Sequence, residues 1–123
     1  MSTPPWFGTD EPEFMPRVRR TFADQLTARM RTLRDACTVL AEEPGSAEAI
    51  EQIRATAHDL SGTAATVGAA EVGRLAIGIT NTMREWSRDT PDADPPVSEL
   101  TTRVAELEEA GREFLGWMEW KPA

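Results

Sequence analysis

The sequence is poor in the residues that build disulfides, metal sites and membrane spans. It contains one cysteine and one histidine, which excludes an intrachain disulfide and the usual sets of zinc ligands. No apolar run approaches the ~20 residues that a membrane-spanning helix needs. Residues 1–5 lack the basic stretch and apolar run of a secretory signal. We therefore expect a cytoplasmic protein with no metal of its own and no membrane partner.

Positive charge is also scarce, and the formal net charge at pH 7 is −8. Binding to nucleic acid needs a basic surface that neutralises phosphates, so we expect no nucleic-acid partner. The chain has no Gly-rich phosphate-binding loop of the Walker or Rossmann kind. We therefore expect no nucleotide site and no enzymatic activity of its own. A length of 123 residues fits one domain, and we expect a monomer.

The sequence does contain four segments with apolar residues at helical spacing. The predicted helices run from Pro16 to about Glu42, from about Ala47 to Val67, from about Ala70 to Ser87, and from about Ser98 to Met118. The stripe of the first helix is Val18, Phe22, Leu26, Met30, Leu33, Cys37 and Leu40. Proline favours the first helical position, and glycine at 68 favours a stop. The pattern predicts an all-α fold, an antiparallel four-helix bundle.

The segments outside these helices are rich in proline. Residues 1–13 predict an N-terminal arm or a short extra helix ahead of a bundle that spans 14–123. We expect Trp6, Phe7 and Phe14 to hold the arm against the bundle. Residues 88–96 predict a non-helical link before the fourth helix.

The only histidine, His58, lies inside the second predicted helix. Side chains three and four residues later share its face and lean back over the preceding turn. The chain has Ser61 and Gly62 at those positions, and Ala65 one turn further on. A glycine in mid-helix costs roughly 1 kcal/mol relative to alanine. We interpret Gly62 as the residue that exposes the imidazole to a large partner.

This segment resembles the signature of histidine-containing phosphotransfer (HPt) domains, His-x-Leu-Lys-Gly-Ser-Ala-x-x-x-Gly. The matching positions are His58, Leu60, Gly62, Ala64 and Gly68. Thr63 replaces a serine with another hydroxyl. Ser61 is the clear departure, because the family usually has lysine there.

The resemblance implies a bundle that accepts a phosphoryl group on His58 and exchanges it with the aspartate of a receiver domain. That domain would belong to a response regulator or a hybrid histidine kinase. The chain itself would need no cofactor, since Mg²⁺ belongs to the receiver. The family lysine neutralises phosphoryl oxygens, whereas Ser61 carries no charge. The candidates for supporting the phosphoryl group are therefore Ser61, Gly62, Arg54 and Arg84.

We expect the receiver to dock over His58 through a small apolar patch of Ala55, Ala65, Phe22 and Leu26. Two glycines of the third helix, Gly73 and Gly78, are open to two interpretations. Gly78 in particular either keeps the histidine side of the bundle open or lets two helices cross closely.

Three other interpretations remain open. Ser61 in place of lysine favours an HPt-like adaptor or inhibitor that binds a kinase or receiver without phosphotransfer. A second is the phosphoacceptor domain of a chemotaxis-type histidine kinase, although the initial methionine and the Trp-Lys-Pro-Ala end favour a free-standing protein. A plain structural bundle would tolerate any replacement of His58.

Overall fold

A computed structural model describes residues 2–123, so Met1, the first residue of the predicted arm, lies outside the described residues. The helices are α1, Met15–Glu42; α2, Ala47–Thr63; α3, Ala70–Asp89; and α4, Val97–Met118, with a 3-10 turn at Ala65–Val67 between α2 and α3. No strand occurs in this part of the chain. The all-α prediction is confirmed.

The four helices form an antiparallel bundle in which each packs against two others. α1 and α3 each contact both α2 and α4. Phe22, early in α1, meets Phe114, late in α4, with ring centroids 5.5 Å apart. Arg34, three turns later in α1, donates to Glu108, which comes earlier in α4, at 2.7 Å. α1 and α4 therefore run in opposite directions.

The apolar stripe predicted for α1 is buried except at Val18, which is 41% exposed. Its neighbour Arg19 is buried instead, at 4% exposure. The Arg19 Nε donates to the Val67 carbonyl at 2.9 Å, and Nη2 pairs with Glu11 at 2.6 Å. Its guanidinium also lies 4.0 Å from the centroid of Trp6. A guanidinium with this many partners can leave water, and no apolar pattern predicts such a site.

The N-terminal arm covers one end of the bundle through aromatic contacts. Trp6 packs edge-on against Trp117 at 5.9 Å between centroids, and Phe7 packs against Trp120 at 4.6 Å. The prediction that Phe14 holds the arm is wrong, because its side chain is 58% exposed. The arm makes turns rather than an extra helix.

The connection between α2 and α3 is longer than the sequence indicates. The α-helix ends at Thr63 rather than Val67, and a 3-10 turn leads into Gly68. The predicted stop at Gly68 is confirmed by its φ of +90°, in the left-handed region that glycine adopts most readily. A Cβ built at this position would lie 2.6 Å from Cε3 of Trp6. Both the backbone conformation and the indole therefore require glycine.

The predicted non-helical link at 88–96 is wrong at its first two residues. α3 continues through Asp89, and the Thr90 N–H donates to the Trp86 carbonyl at 3.0 Å. The proline that follows disfavours a further helical turn. The indole of Trp86 then donates to the Ala93 carbonyl at 2.9 Å, which ties the link to the end of α3.

Replacing Gly68 tests the tight turn. Gly68→Ala is expected to lower the free energy of unfolding by about 1–2 kcal/mol, since left-handed backbone costs an L-residue that much. The added methyl must also displace Trp6. Urea unfolding followed by circular dichroism measures the effect. Gly45→Ala is the control, because Gly45 has open space and no positive φ. Equal effects at the two positions would contradict this account.

Candidate functional site

His58 stands in the middle of α2 with its side chain exposed. The opposite side of the helix is anchored by Ala57 and Leu60, both 0% exposed. At the start of α2, the Ser46 hydroxyl accepts a hydrogen bond from the Ala49 N–H at 3.3 Å, as an N-cap does. The imidazole is therefore presented to solvent from a helix that is capped and well packed.

A groove of about 470 Å³ runs from His58 along the seam between α2 and α3. Its walls are Ile50, Arg54 and His58 of α2, and Thr80, Met83, Arg84, Trp86, Ser87 and Arg88 of α3. The two helices are antiparallel, so Thr80 lies toward the His58 end, and Ile50 and Arg88 lie toward the other end. The lining has three arginines and no carboxylate, in a chain with a net charge of −8.

The three arginines differ in their partners. Arg54 forms a salt bridge with Glu51 and donates hydrogen bonds to its carboxylate. The hydrogen bonding lowers the pKa of the Glu51 carboxyl. Arg88 donates to Asp89 at 2.7 Å, which likewise lowers the pKa of that carboxyl. Arg84 makes no ion pair with a carboxylate of residues 2–123. Arg84 is thus the groove cation that is available to an incoming anion.

Thr80 was missed by the sequence analysis. Its Oγ1 is buried and has no hydrogen-bond partner within the described part of the chain. Most buried polar atoms have a partner, so an unpaired one beside an exposed histidine indicates a missing acceptor or donor. Thr80 follows Gly68 by about as many residues as His58 precedes it. Two antiparallel helices joined at Gly68 would therefore place the two residues at a similar level, which is how the sequence could have indicated Thr80.

Gly62 leaves space beside the imidazole. Gly62 is exposed, and a Cβ built on it would meet nothing within 4 Å. Gly62 is therefore not the site of a close helix–helix contact. Ser61 is half-buried and donates its hydroxyl to the His58 carbonyl at 2.7 Å. That hydroxyl proton is therefore engaged by the backbone rather than by the groove.

The two glycines of α3 have different surroundings. A Cβ at Gly73 would lie 3.4 Å from the Ala64 Cβ and 3.5 Å from the Ala65 nitrogen, so at this glycine α3 packs against the residues that directly follow α2. A Cβ at Gly78 would lie 2.8 Å from Nη1 of Arg103 on α4. The idea that Gly78 opens the histidine side is therefore wrong, because it faces the other neighbour of α3.

The predicted docking patch is wrong in its α1 half. Phe22 and Leu26 are 8% and 0% exposed, and Phe22 packs against Phe114. They belong to the stripe that faces the core, so they cannot also form an outer surface. Of the α2 half, Ala65 is exposed and Ala55 is half-buried.

Two further features lie on the surface near His58. Ile77 of α3 is 49% exposed, and it lies one turn after Gly73 on the side toward α2. Asp59 faces α1, where its Oδ2 lies 4.0 Å from Nη1 of Arg29. Asp59 therefore points away from the groove that holds His58.

The arrangement is one exposed histidine in mid-helix of a four-helix bundle. A comparison with protein-family models matches residues 17–110 to the model described as Hpt domain. The chain belongs to the HPt domain family. This match spans α2 and α3 completely and most of α1 and α4. Neither the comparison with curated proteins nor the one with solved structures finds a match.

HPt domains are helical bundles that serve histidine phosphotransfer in two-component phosphorelays. The family that the sequence indicated is thereby confirmed. Among residues 2–123, no helix of this HPt domain has the length and apolar character to cross a membrane.

The open space at Gly62 predicts a gain in stability. Gly62→Ala is expected to raise the free energy of unfolding by about 0.5–1 kcal/mol, because alanine loses less backbone entropy in a helix. Gly111→Ala in α4 is the matched control, since a Cβ there would overlap the sulfur of Met30. Chemical unfolding of both variants should give changes of opposite sign. A loss of stability with Gly62→Ala would show that the position is packed.

Proposed function

We propose that this HPt domain accepts a phosphoryl group on His58 and exchanges it with the aspartate of a receiver domain. The receiver would belong to a response regulator or a hybrid histidine kinase, and the carrier would act as a cytoplasmic monomer. The observation that carries the proposal is the position of the only histidine. It is exposed in mid-helix and opens onto a groove with three arginines and no carboxylate.

The chemistry requires little from the carrier. One imidazole nitrogen of His58 attacks the phosphorus of the aspartyl phosphate, an N–P bond forms, and the P–O bond to the aspartate breaks. The carboxylate leaves, and the reverse transfer follows the same path. A neutral imidazole has a lone pair at neutral pH, so no separate base is needed. The receiver contributes the aspartate and Mg²⁺.

Phosphoryl transfer depends mainly on positioning and on neutralising the oxygen charges. We assign the neutralising role to Arg84, because it has no carboxylate partner among residues 2–123, whereas Arg54 and Arg88 already pair with carboxylates. The buried hydroxyl of Thr80 would gain an acceptor when the phosphoryl group arrives. Ser61 contributes less, since its hydroxyl donates to the backbone.

A phosphotransfer assay tests the role of His58. Receiver domains carrying labelled phosphate would be mixed with the wild type and with His58→Gln in the presence of Mg²⁺. Label that is labile in acid and stable in base is expected on the wild type and absent from His58→Gln. Circular dichroism and melting of the variant serve as the control for folding, since the side chain is exposed.

A second candidate is an adaptor that binds a kinase or receiver without transfer, and the uncharged Ser61 favours it. Its signature is partner binding by the wild type, with no label on His58 from any donor. That result would contradict the carrier proposal.

The contribution of the Arg84 charge to phosphotransfer is tested by replacing Arg84 and, as a comparison, another arginine of α3. Arg84→Ala is expected to slow phosphorylation of His58 about tenfold, because a cation beside the transferred group stabilises its charge. Arg74→Ala is the matched control, since Arg74 pairs with Glu71 and does not line the groove.

Ser61→Lys in the Arg84→Ala background is expected to restore part of the rate by returning a positive charge near the imidazole. Equal rates for Arg84→Ala and Arg74→Ala would remove Arg84 from the site. Both variants would be compared at matched folded fractions, measured by thermal melting.

A further inference from the structure

We propose that the end of the groove remote from His58 binds one apolar side chain of the partner receiver. The next residue in the receiver's sequence is acidic, and its carboxylate lies near the arginines of the groove. We call this end the distal slot, and it is formed by Ile50, Met83, Trp86, Ser87 and Arg88. The proposal rests on the proposed function for the identity of the partner. The slot itself is defined by shape and charge.

The distal slot is apolar at its base. Ile50 and Trp86 are half-buried, and Met83 is 4% exposed. The Trp86 indole already donates its N–H to the Ala93 carbonyl at 2.9 Å, which fixes the ring as an apolar wall. A rigid, partly buried indole beside an isoleucine is a suitable surface for one aliphatic or aromatic side chain.

The positive charge near the slot favours a partner in which the residue next to the bound apolar side chain is acidic. Arg88 lies on the slot and pairs with Asp89, whereas Arg84, one turn nearer His58, makes no ion pair with a carboxylate of residues 2–123 and is available to an acidic group. The groove on the other side of α3 has the opposite character, with four glutamates among its walls: Glu71, Glu106, Glu109 and Glu113. An acidic partner is therefore attracted to one side of α3 and repelled from the other.

The slot is too far from His58 to act on the transferred group. Ile50 precedes His58 by eight residues, which is about 12 Å along a helix at 1.5 Å per residue. An occupant would hold the receiver in position without touching the phosphoryl group. Binding of the receiver's side chain in the slot should therefore raise the affinity for the receiver and leave the rate of the transfer step unchanged.

The slot can be tested without any receiver, by titration with short blocked peptides. The probe is N-acetyl-Phe-Glu-Glu-amide, and the isosteric neutral control is N-acetyl-Phe-Gln-Gln-amide. The NMR signal of the Trp86 indole N–H is expected to shift with the acidic peptide, at millimolar concentration. The neutral peptide should bind about fivefold more weakly, which corresponds to one exposed ion pair.

Two variants locate the binding. Ser87→Trp should abolish the shift by filling the slot from its exposed rim, whereas Asn81→Trp, on the same helix but outside the groove, should leave it unchanged. Arg84→Gln should remove the preference for the acidic peptide, because Arg84 is the groove arginine without a carboxylate partner among residues 2–123. Equal binding of the two peptides, or shifts confined to Trp117 and Trp120, would overturn the proposal.

With a receiver that transfers to the wild type, Ser87→Trp is expected to raise KM about tenfold and leave kcat unchanged. A fall in kcat at constant KM would contradict a docking role. If no receiver transfers to the wild type, the phosphocarrier function fails. The peptide titration still decides whether the slot exists.

Discussion

The close crossing of α2 and α3 determines the geometry of the site. A Cβ at Gly73 would already touch the Cβ of Ala64 and the nitrogen of Ala65, at 3.4 and 3.5 Å. Small residues in the first turn of α3 and directly after the end of α2 let the two backbones approach on either side of Gly68. From there the helices run antiparallel, and the α3 side chains at 80 and 84 are brought beside His58 of α2. A wider crossing would leave the histidine without its groove.

The N-terminal arm supports this crossing from outside the bundle. The Trp6 indole covers Gly68, and Arg19 binds the Val67 carbonyl while pairing with Glu11 of the arm. A buried guanidinium with a carboxylate, a carbonyl and an aromatic face is satisfied on several sides, so it can replace an apolar residue in the core. The arm therefore fixes the turn that aligns α2 with α3, at a distance from the histidine itself.

Charge is divided between the two faces of α3. The groove toward α2 has arginines and the groove toward α4 has glutamates, although the chain as a whole is strongly acidic. Net charge alone says nothing about which face an acidic partner would approach. Only the packing of α3 between its two neighbours separates the arginines from the glutamates. This separation gives the bundle one face that suits an anionic partner.

The sequence by itself determined the features that depend on local backbone and periodicity. The 3.6-residue spacing of apolar side chains predicts four helices, glycine predicts the turn at Gly68, and small residues predict an exposed His58. Tertiary structure alone decided which side chains meet across helices. It buries Arg19, and it brings Thr80 to the histidine groove. The physical reason is that helix formation follows neighbours three and four residues apart. Burial and pairing depend instead on residues tens of positions away, which no local pattern specifies.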